Sequence, residues 1–303
     1  MSNTTANFRR VIGNAEDLQS VVSTMKALAA SSIGQYENSV RSLEDYYRVV
    51  ELALGACIRA SNSTGSVNVS ARQTEPAVIG AIVFGSDQGL VGQFNDAVAE
   101  CAIKTLALLP GKPLVWAVGE RVHARLADAG LTLKGLFEVP NSVNGITPLI
   151  GQIQLQSETV LATEEDAHVY VFHNKPRPGG LYTSTSQQLL PLDNAWRTSL
   201  SEVSWPTGLL PEILGSNNAT LHALIREYLF ISLFRASAES LASENASRLA
   251  AMERADKNIA EMLENLRLTL NRLRQKGIDE ELFDLISGFE ALAESDSGTV
   301  DSR

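Results

Sequence analysis

The segment best placed to do chemistry is Gly85-Ser86-Asp87-Gln88-Gly89-Leu90-Val91-Gly92. It follows an apolar run, Val78 to Phe84, and opens a helical one, which is where a phosphate-binding loop sits ahead of a helix N-terminus. Its glycines do not have the G-x-G-x-x-G spacing, and no Lys-Ser or Lys-Thr follows Gly89, so neither nucleotide fingerprint is met. The simpler expectation is a tight strand-to-helix turn made by Gly85, Asp87, Gly89 and Gly92. The histidines His123, His168, His173 and His222 have no metal-ligand spacing with a cysteine or carboxylate. His168 and His173 stand at odd spacing on a predicted strand and so point to opposite faces. The serine-rich stretch Ser61 to Ser70 lacks a nucleophile-elbow pattern, and Glu164-Glu165-Asp166 fits a solvated surface. No catalytic residue, cofactor or metal is expected.

Polar residues near the C-terminus form a second group. Ser243, Glu244 and Arg248 lie within two helical turns, and Arg272, Arg274, Gln275 and Lys276 cluster further on. A solvated face stitched by i,i+4 pairs accounts for them. Contacts from the arginines to carboxylates on a partner account for them as well, since guanidinium binds carboxylate in bidentate fashion.

The elements that would carry these groups are of two textures. Residues 236–292 have almost no glycine, no proline, and apolar residues at helical spacing. The helical pattern starts near Asn218 and persists to about Ala293, a length of about 110 Å at the rise of an α-helix. Residues 8–60 predict a second long helix of about 75 Å. There Val21, Met25, Leu28, Tyr36, Val40, Leu43, Val50 and Leu54 recur at steps near the coiled-coil period. Helices this long must extend beyond one ordinary core, and two of them at opposite ends of a chain pair most simply as an antiparallel coiled coil.

Between them, from Pro76, the texture changes. Val78 to Phe84, Pro113 to Gly119, Leu131 to Val139, Asp166 to Asn174 and Leu181 to Leu192 predict strands. Helical patterns at Gly89 to Leu109, Glu120 to Gly130 and Thr147 to Ala162 separate the first four. Alternation of this kind predicts a mainly parallel α/β sheet, with the last strand antiparallel at an edge after the Asn174–Gly180 turn. Residues 61–75 predict a loop, 193–218 an irregular segment and 294–303 a frayed tail. The expected organisation is residues 1–60 as the N-terminal coiled-coil helix, 76–192 as an inserted α/β domain and 218–293 as the C-terminal coiled-coil helix.

With 35 acidic against 25 basic residues the formal charge is −10, which argues against nucleic acid as the main partner. No stretch reaches the ~18 apolar residues of a membrane span, and the N-terminus lacks the apolar core of a signal peptide. A cytosolic protein, or one held at a membrane only by partners, is the expectation. Cys57 and Cys101 lie in different predicted elements and fit reduced thiols.

Along the C-terminal helix, Ser243-Glu244-x-x-Ser247-Arg248-Leu249-x-Ala251-Met252-x-x-Ala255-x-x-Asn258 precedes Leu266-x-Leu268-x-x-Asn271-x-x-Arg274-Gln275. Glu281-x-x-x-Leu285-Ile286-Ser287-Gly288 follows. This series resembles the C-terminal signature of the gamma subunit of rotary (F-type) ATP synthases. Arg9-x-x-Ile12 with Thr24-Met25-Lys26-Ala27-Leu28-Ala29-Ala30 is similar to that family's first helix. Gly85-Ser86-Asp87-Gln88-Gly89-Leu90-x-Gly92-x-x-Asn95 is similar to its Ser-Asp-Arg-Gly-Leu-Cys-Gly-Gly-x-Asn segment, and Leu189-Leu190-Pro191-Leu192 to the strand closing its α/β domain. Order and spacing agree over nearly the whole chain. Departures mark a diverged or alternative branch: Gln88 stands for arginine, Val91 for cysteine, Ser32 near a lysine, Ile278-Asp279 for Ile-Thr, and Trp205 to Glu212 for a Tyr-Glu-Pro stretch.

The resemblance implies an antiparallel two-helix coiled coil with an inserted Rossmann-like α/β domain, acting as a central rotor shaft without catalytic residues of its own. Its implied partners are the alpha and beta subunits of the catalytic ring, the epsilon subunit and the membrane c-ring, on the cytoplasmic side of a bacterial inner membrane. The implied contacts to beta subunits are Arg248, Arg274 and Gln275, with Met25, Lys26 and the altered Asp279. The coupling ion, proton or sodium, would be set on another subunit. Two further classes stand beside this: a free-standing coiled-coil scaffold, which leaves the α/β domain unused, and a nucleotide-binding α/β enzyme, which needs a phosphate loop the chain lacks.

Overall fold

The computed structural model describes residues 2–63, 78–161, 167–177, 181–191 and 216–297, with isolated positions between 198 and 212. Most of the segment expected to be irregular, the acidic run Glu164-Glu165-Asp166, most of the 61–75 loop and the last six residues lie outside the described residues. Helix α1 spans Ser2–Ser63, and the C-terminal helix, α5, spans Asn217–Ser297. Between them come β1 (Val78–Phe84), α2 (Phe94–Leu108), β2 (Lys112–Val118), α3 (Glu120–Asp128), β3 (Leu133–Phe137), α4 (Val143–Leu161), β4 (His168–Pro176) and β5 (Tyr182–Leu190). The chain divides into two compact units, residues 28–251 and residues 1–27 with 252–303.

In the first unit the five strands form one mixed sheet in the order β3-β2-β1-β4-β5. The first four are parallel, and β5 pairs antiparallel with β4 at the edge. Parallel neighbours need a crossover, which the intervening helices supply. All seven residues of β1 are buried, as a central strand covered on both faces requires. Its Ile79, Ala81 and Val83 face α2 and α3, packing with Val98, Ala102, Val122 and Leu126. Its Val78, Ile82 and Phe84 share the opposite core with Trp116 of β2, Ile146 and Ile150 of α4, and Leu233, Phe234 and Leu241 of α5. A third cluster joins Val50, Leu54 and Ile58 of α1 to Tyr228 and Ile231 of α5. Each such buried side chain contributes about 1.5–3 kcal/mol over leaving it exposed.

In the second unit, Ala15 and Val22 of α1 are buried with Met252, Ile259 and Leu263 of α5, and Ile12, Met25 and Ala255 pack against them. Glu16 pairs with Arg267 at 2.6 Å, while Gln19 and Lys26 both reach Asp256. Sequence order therefore runs oppositely on the two segments.

The structure corrects several expectations. On α1 the expected Tyr36, Val50 and Leu54 are buried, but toward the N-terminus Val22 and Ala29 are buried in place of Val21 and Leu28, which are 55% and 64% exposed. Apolar residues occupy adjacent positions there, so periodicity had two stripes to choose from. Helix α2 begins at Phe94 rather than near Gly89, because Leu90 (φ 62°) and Gly92 (φ 59°) take left-handed conformations that a right-handed helix cannot continue. Helix α4 begins at Val143, a turn before the expected start, and carries Pro148 inside it. Helix α5 continues through Gly277 and Gly288.

Candidate functional site

The turn after β1 is closed by its own side chains. The Ser86 amide donates to Asn95 Oδ1 at 2.9 Å, and Asn95 Nδ2 donates back to Ser86 Oγ at 2.8 Å. Asp87 accepts the Glu120 amide on Oδ1 at 2.9 Å and the Val139 amide on Oδ2 at 2.8 Å. One carboxylate thus caps the first turn of α3 and ties down the segment after β3. Gly85 has no room for a side chain: a Cβ there would lie 2.4 Å from Val122 and 2.8 Å from Asn95 Oδ1. Gly119 (φ 109°) lies directly against the Ser86 backbone. Gly89, by contrast, faces only the end of the Arg121 side chain. The Ser86 amide is spent on Asn95 and the Asp87 carboxylate on amides of two other segments, which makes this turn a brace.

Replacing Asp87 by Ala leaves two amides without their acceptor and is expected to lower stability by about 1–3 kcal/mol. Chemical denaturation of the full chain checks this. Asp87→Asn, which keeps one carbonyl acceptor, should lose less.

The polar residues on α5 are used in a way that spacing did not reveal. Ser243 Oγ donates to the Asn174 carbonyl at 2.9 Å, and Ser247 Oγ to the Val91 carbonyl at 2.5 Å. Asn174 in turn donates to the Phe94 carbonyl and accepts from Ser184 Oγ. These serines fasten α5 to the sheet and to the β1–α2 turn. Arg248 is only 13% exposed in its side chain; its Nη2 donates to Glu244 Oε1 at 2.6 Å. Burial pushes the Glu244 carboxyl above the usual range, and Asp87 adds to this, while Arg248 opposes it.

A second buried cluster has no counterpart in the expected site residues. His173 Nε2 lies 2.8 Å from Glu239 Oε2, and Arg235 Nε donates to Glu239 Oε1 at 2.9 Å. Lys175 stands 3.8 Å from the same oxygen. Glu239 is 6% exposed. Burial would raise its carboxyl, but hydrogen bonds from His173 and Arg235 outweigh that and hold it below the usual carboxylate range. His173 and Glu239 are 66 residues apart, so the one available signal was a histidine inside an apolar strand pattern.

In residues 252–303, Arg274, Gln275 and Asp279 lie exposed on α5. In residues 1–27, Met25 is half-buried and Lys26 pairs with Asp256 at 3.7 Å. The expected contact residues therefore fall into two sets: Arg248 near the β1 turn in one unit, and the remaining five in the other. Among the described residues no group of three or more His, Cys, Asp or Glu could hold a metal ion, and no helix is long and apolar enough to cross a membrane.

Long terminal helices, a five-stranded mixed sheet, and motif residues spent on bracing define a structural protein of the mixed α/β class. Residues 4–292 match the family model described as ATP synthase, and the chain belongs to that family. It is 29% identical over 297 residues to the ATP synthase gamma chain of Desulforudis audaxviator, covering 94% of this chain and 98% of the relative. It is 25% identical over 299 residues to that of Bdellovibrio bacteriovorus, with the same coverage. Among solved structures, a chain of the Tetrahymena thermophila mitochondrial ATP synthase central stalk and c-ring shares the fold, with a TM-score of 0.56 and 24% identity. It covers 78% of this chain and 99% of that one. A chain of the Euglena gracilis mitochondrial ATP synthase rotor does so with a TM-score of 0.60 and 17% identity, over 92% and 100%.

Proposed function

We infer that this chain is the central-stalk rotor subunit of an F-type ATP synthase. It is a non-catalytic subunit; the catalytic sites lie on the beta subunits. Residues 1–60 and 218–293 form the shaft as an antiparallel coiled coil, and residues 76–192 form a Rossmann-like domain inserted beside it. The opposed pairing of Glu16 with Arg267 and of Gln19 and Lys26 with Asp256 supports that arrangement. The shaft stands within a ring of alternating alpha and beta subunits, while the α/β domain and adjoining helix meet the epsilon subunit and the c-ring. The complex is peripheral at the membrane, on the cytoplasmic side of a bacterial inner membrane. Because the shaft is asymmetric, it stabilises a different conformation in each surrounding catalytic site, and rotation passes each site through them in turn.

The observation that carries this reading is the end of α5. Ile278, Leu282, Phe283, Leu285 and Ile286 are all exposed there, with Phe283 72% accessible. A concentration of bare apolar side chains on a helix end marks a surface meant to be covered by partners. On the same helix, Arg274, Gln275 and Asp279 are open to hydrogen-bond beta-subunit loops, and Met25 and Lys26 on α1 are further contacts to the beta subunits. Arg248 contributes through the part of its guanidinium that Glu244 leaves unengaged.

Co-purification tests the assignment: alpha and beta subunits should accompany this chain and outnumber it. A stable homodimer without them would favour a free-standing scaffold. Replacing Arg274 and Gln275 together by Ala removes charge-assisted contacts worth about 1.5–3 kcal/mol, so ATP-driven ion pumping by the reconstituted complex should fall by roughly tenfold or more. Unchanged pumping would remove both residues from the coupling path.

A further inference from the structure

Beyond the β1 turn lies a cavity of about 150 Å³ lined by Ser32, Tyr36, Asp87, Gln88, Glu244 and Arg248, among others. It opens at the carboxyl end of β1, where strand order reverses between β2 on one side and β4 on the other. In open α/β sheets this is the place where ligands collect.

The charges around it do not balance. Asp87 and Glu244 are carboxylates, and Arg248 is the one cation among the lining residues. Arg248 is committed to Glu244 Oε1. Asp87 has two neutral amides as its hydrogen-bond donors. Glu244 is 5% exposed, and its Oε2 is buried without a hydrogen-bond partner. A buried carboxylate oxygen left unpaired is costly, by about 1–3 kcal/mol or more, so a donor arriving there gains that difference. Arg248 Nε is also without a partner, but its charge is already balanced by Glu244.

We propose that this cavity binds a nitrogen cation, a guanidinium or ammonium group, between Glu244 Oε2 and Asp87. Ser32, Tyr36 and Gln88 supply neutral oxygen acceptors around it. A bare metal ion fits less well, because Asp87 already serves two amides and Glu244 has a single unengaged oxygen. The chain's own departures fall here too: Gln88 stands where the resembled pattern has arginine, and Ser32 near its lysine. The missing charge can come from a dissolved cation or from a partner's arginine or lysine.

Methylguanidinium chloride, at millimolar concentration, is the probe, and thermal unfolding of the full chain is the readout. The expected result is a saturable rise of about 2–4 °C over sodium chloride at equal ionic strength, once the probe exceeds its Kd about tenfold. Gln88→Arg should raise the midpoint without the probe and abolish the response to it, and Glu244→Gln should abolish the response alone. Equal effects of the two salts on the unsubstituted chain, or an undiminished response in Gln88→Arg, would overturn the proposal. Calorimetric titration of the assembled complex separates the sources. Probe binding that Gln88→Arg removes identifies a solute site. Binding lost on assembly, though present in the isolated chain, identifies a partner's side chain.

Discussion

Replacing Glu239 by Ala is expected to destabilise the unit formed by residues 28–251 by about 2–4 kcal/mol, between the cost of losing a charge-assisted hydrogen bond and that of breaking a fully buried charged pair. Glu239 holds β4 to α5 through His173 and orders Arg235 on its own helix. Truncation leaves a buried imidazole without its acceptor and opens a cavity beside the sheet. The change should appear as a lower urea midpoint with an unaltered m-value. It also carries a pH signature. The folded carboxyl lies below its unfolded value, so its contribution is present above the usual carboxylate range and disappears as pH falls through the lowered folded value. Acidification should therefore weaken the native chain, and Glu239→Gln, which keeps the shape, should flatten that acid limb while losing less than Ala at neutral pH. An unchanged midpoint together with an unchanged acid limb would mean that the cluster contributes nothing to stability.

Gly85→Ala is the second large effect, expected to lower stability by about 1–3 kcal/mol through overpacking, or more if the turn cannot shift. The added methyl would meet Val122 Cβ and Cγ1 at 2.4 Å, and Val122 is fully buried between α3 and the sheet. It would also press on Asn95 Oδ1, which holds the Ser86 amide. The mechanism is testable by a double-mutant cycle with Val122→Ala. Relief of the clash makes the pair less damaging than the sum of the single changes. Strict additivity would place the cost elsewhere, in the backbone of the turn. Gly89→Ala, which meets only the tip of a flexible arginine, should be mild by comparison.

The two substitutions mark the boundary of what could be read before folding. Gly85 stood in a recognisable strand-turn-helix pattern, and its role in a tight turn follows from local sequence. The reason no side chain fits, Val122 from another helix, does not. Glu239 was one acidic residue among many on a long helix, and nothing nearby in sequence announces His173 as its partner. Arg248 was legible as an i,i+4 partner of Glu244, but its place beside Tyr36 and Asp87 around one cavity brings together distant segments. On α1 the periodic pattern named Tyr36, Val50 and Leu54, which are buried, but also Val21 and Leu28, whose neighbours Val22 and Ala29 are buried instead.

By itself the sequence determined the kinds of elements, their order and the antiparallel edge strand. Helical and strand periodicities, glycines and prolines act within a few residues, so they survive reading in one dimension. Its ordered motifs also determined the family. The tertiary structure decided which side of each long helix is buried, which polar residues brace the sheet and which remain open to partners. Those choices depend on free energies of burial and pairing between groups tens to hundreds of residues apart, and such groups meet only when the chain has folded.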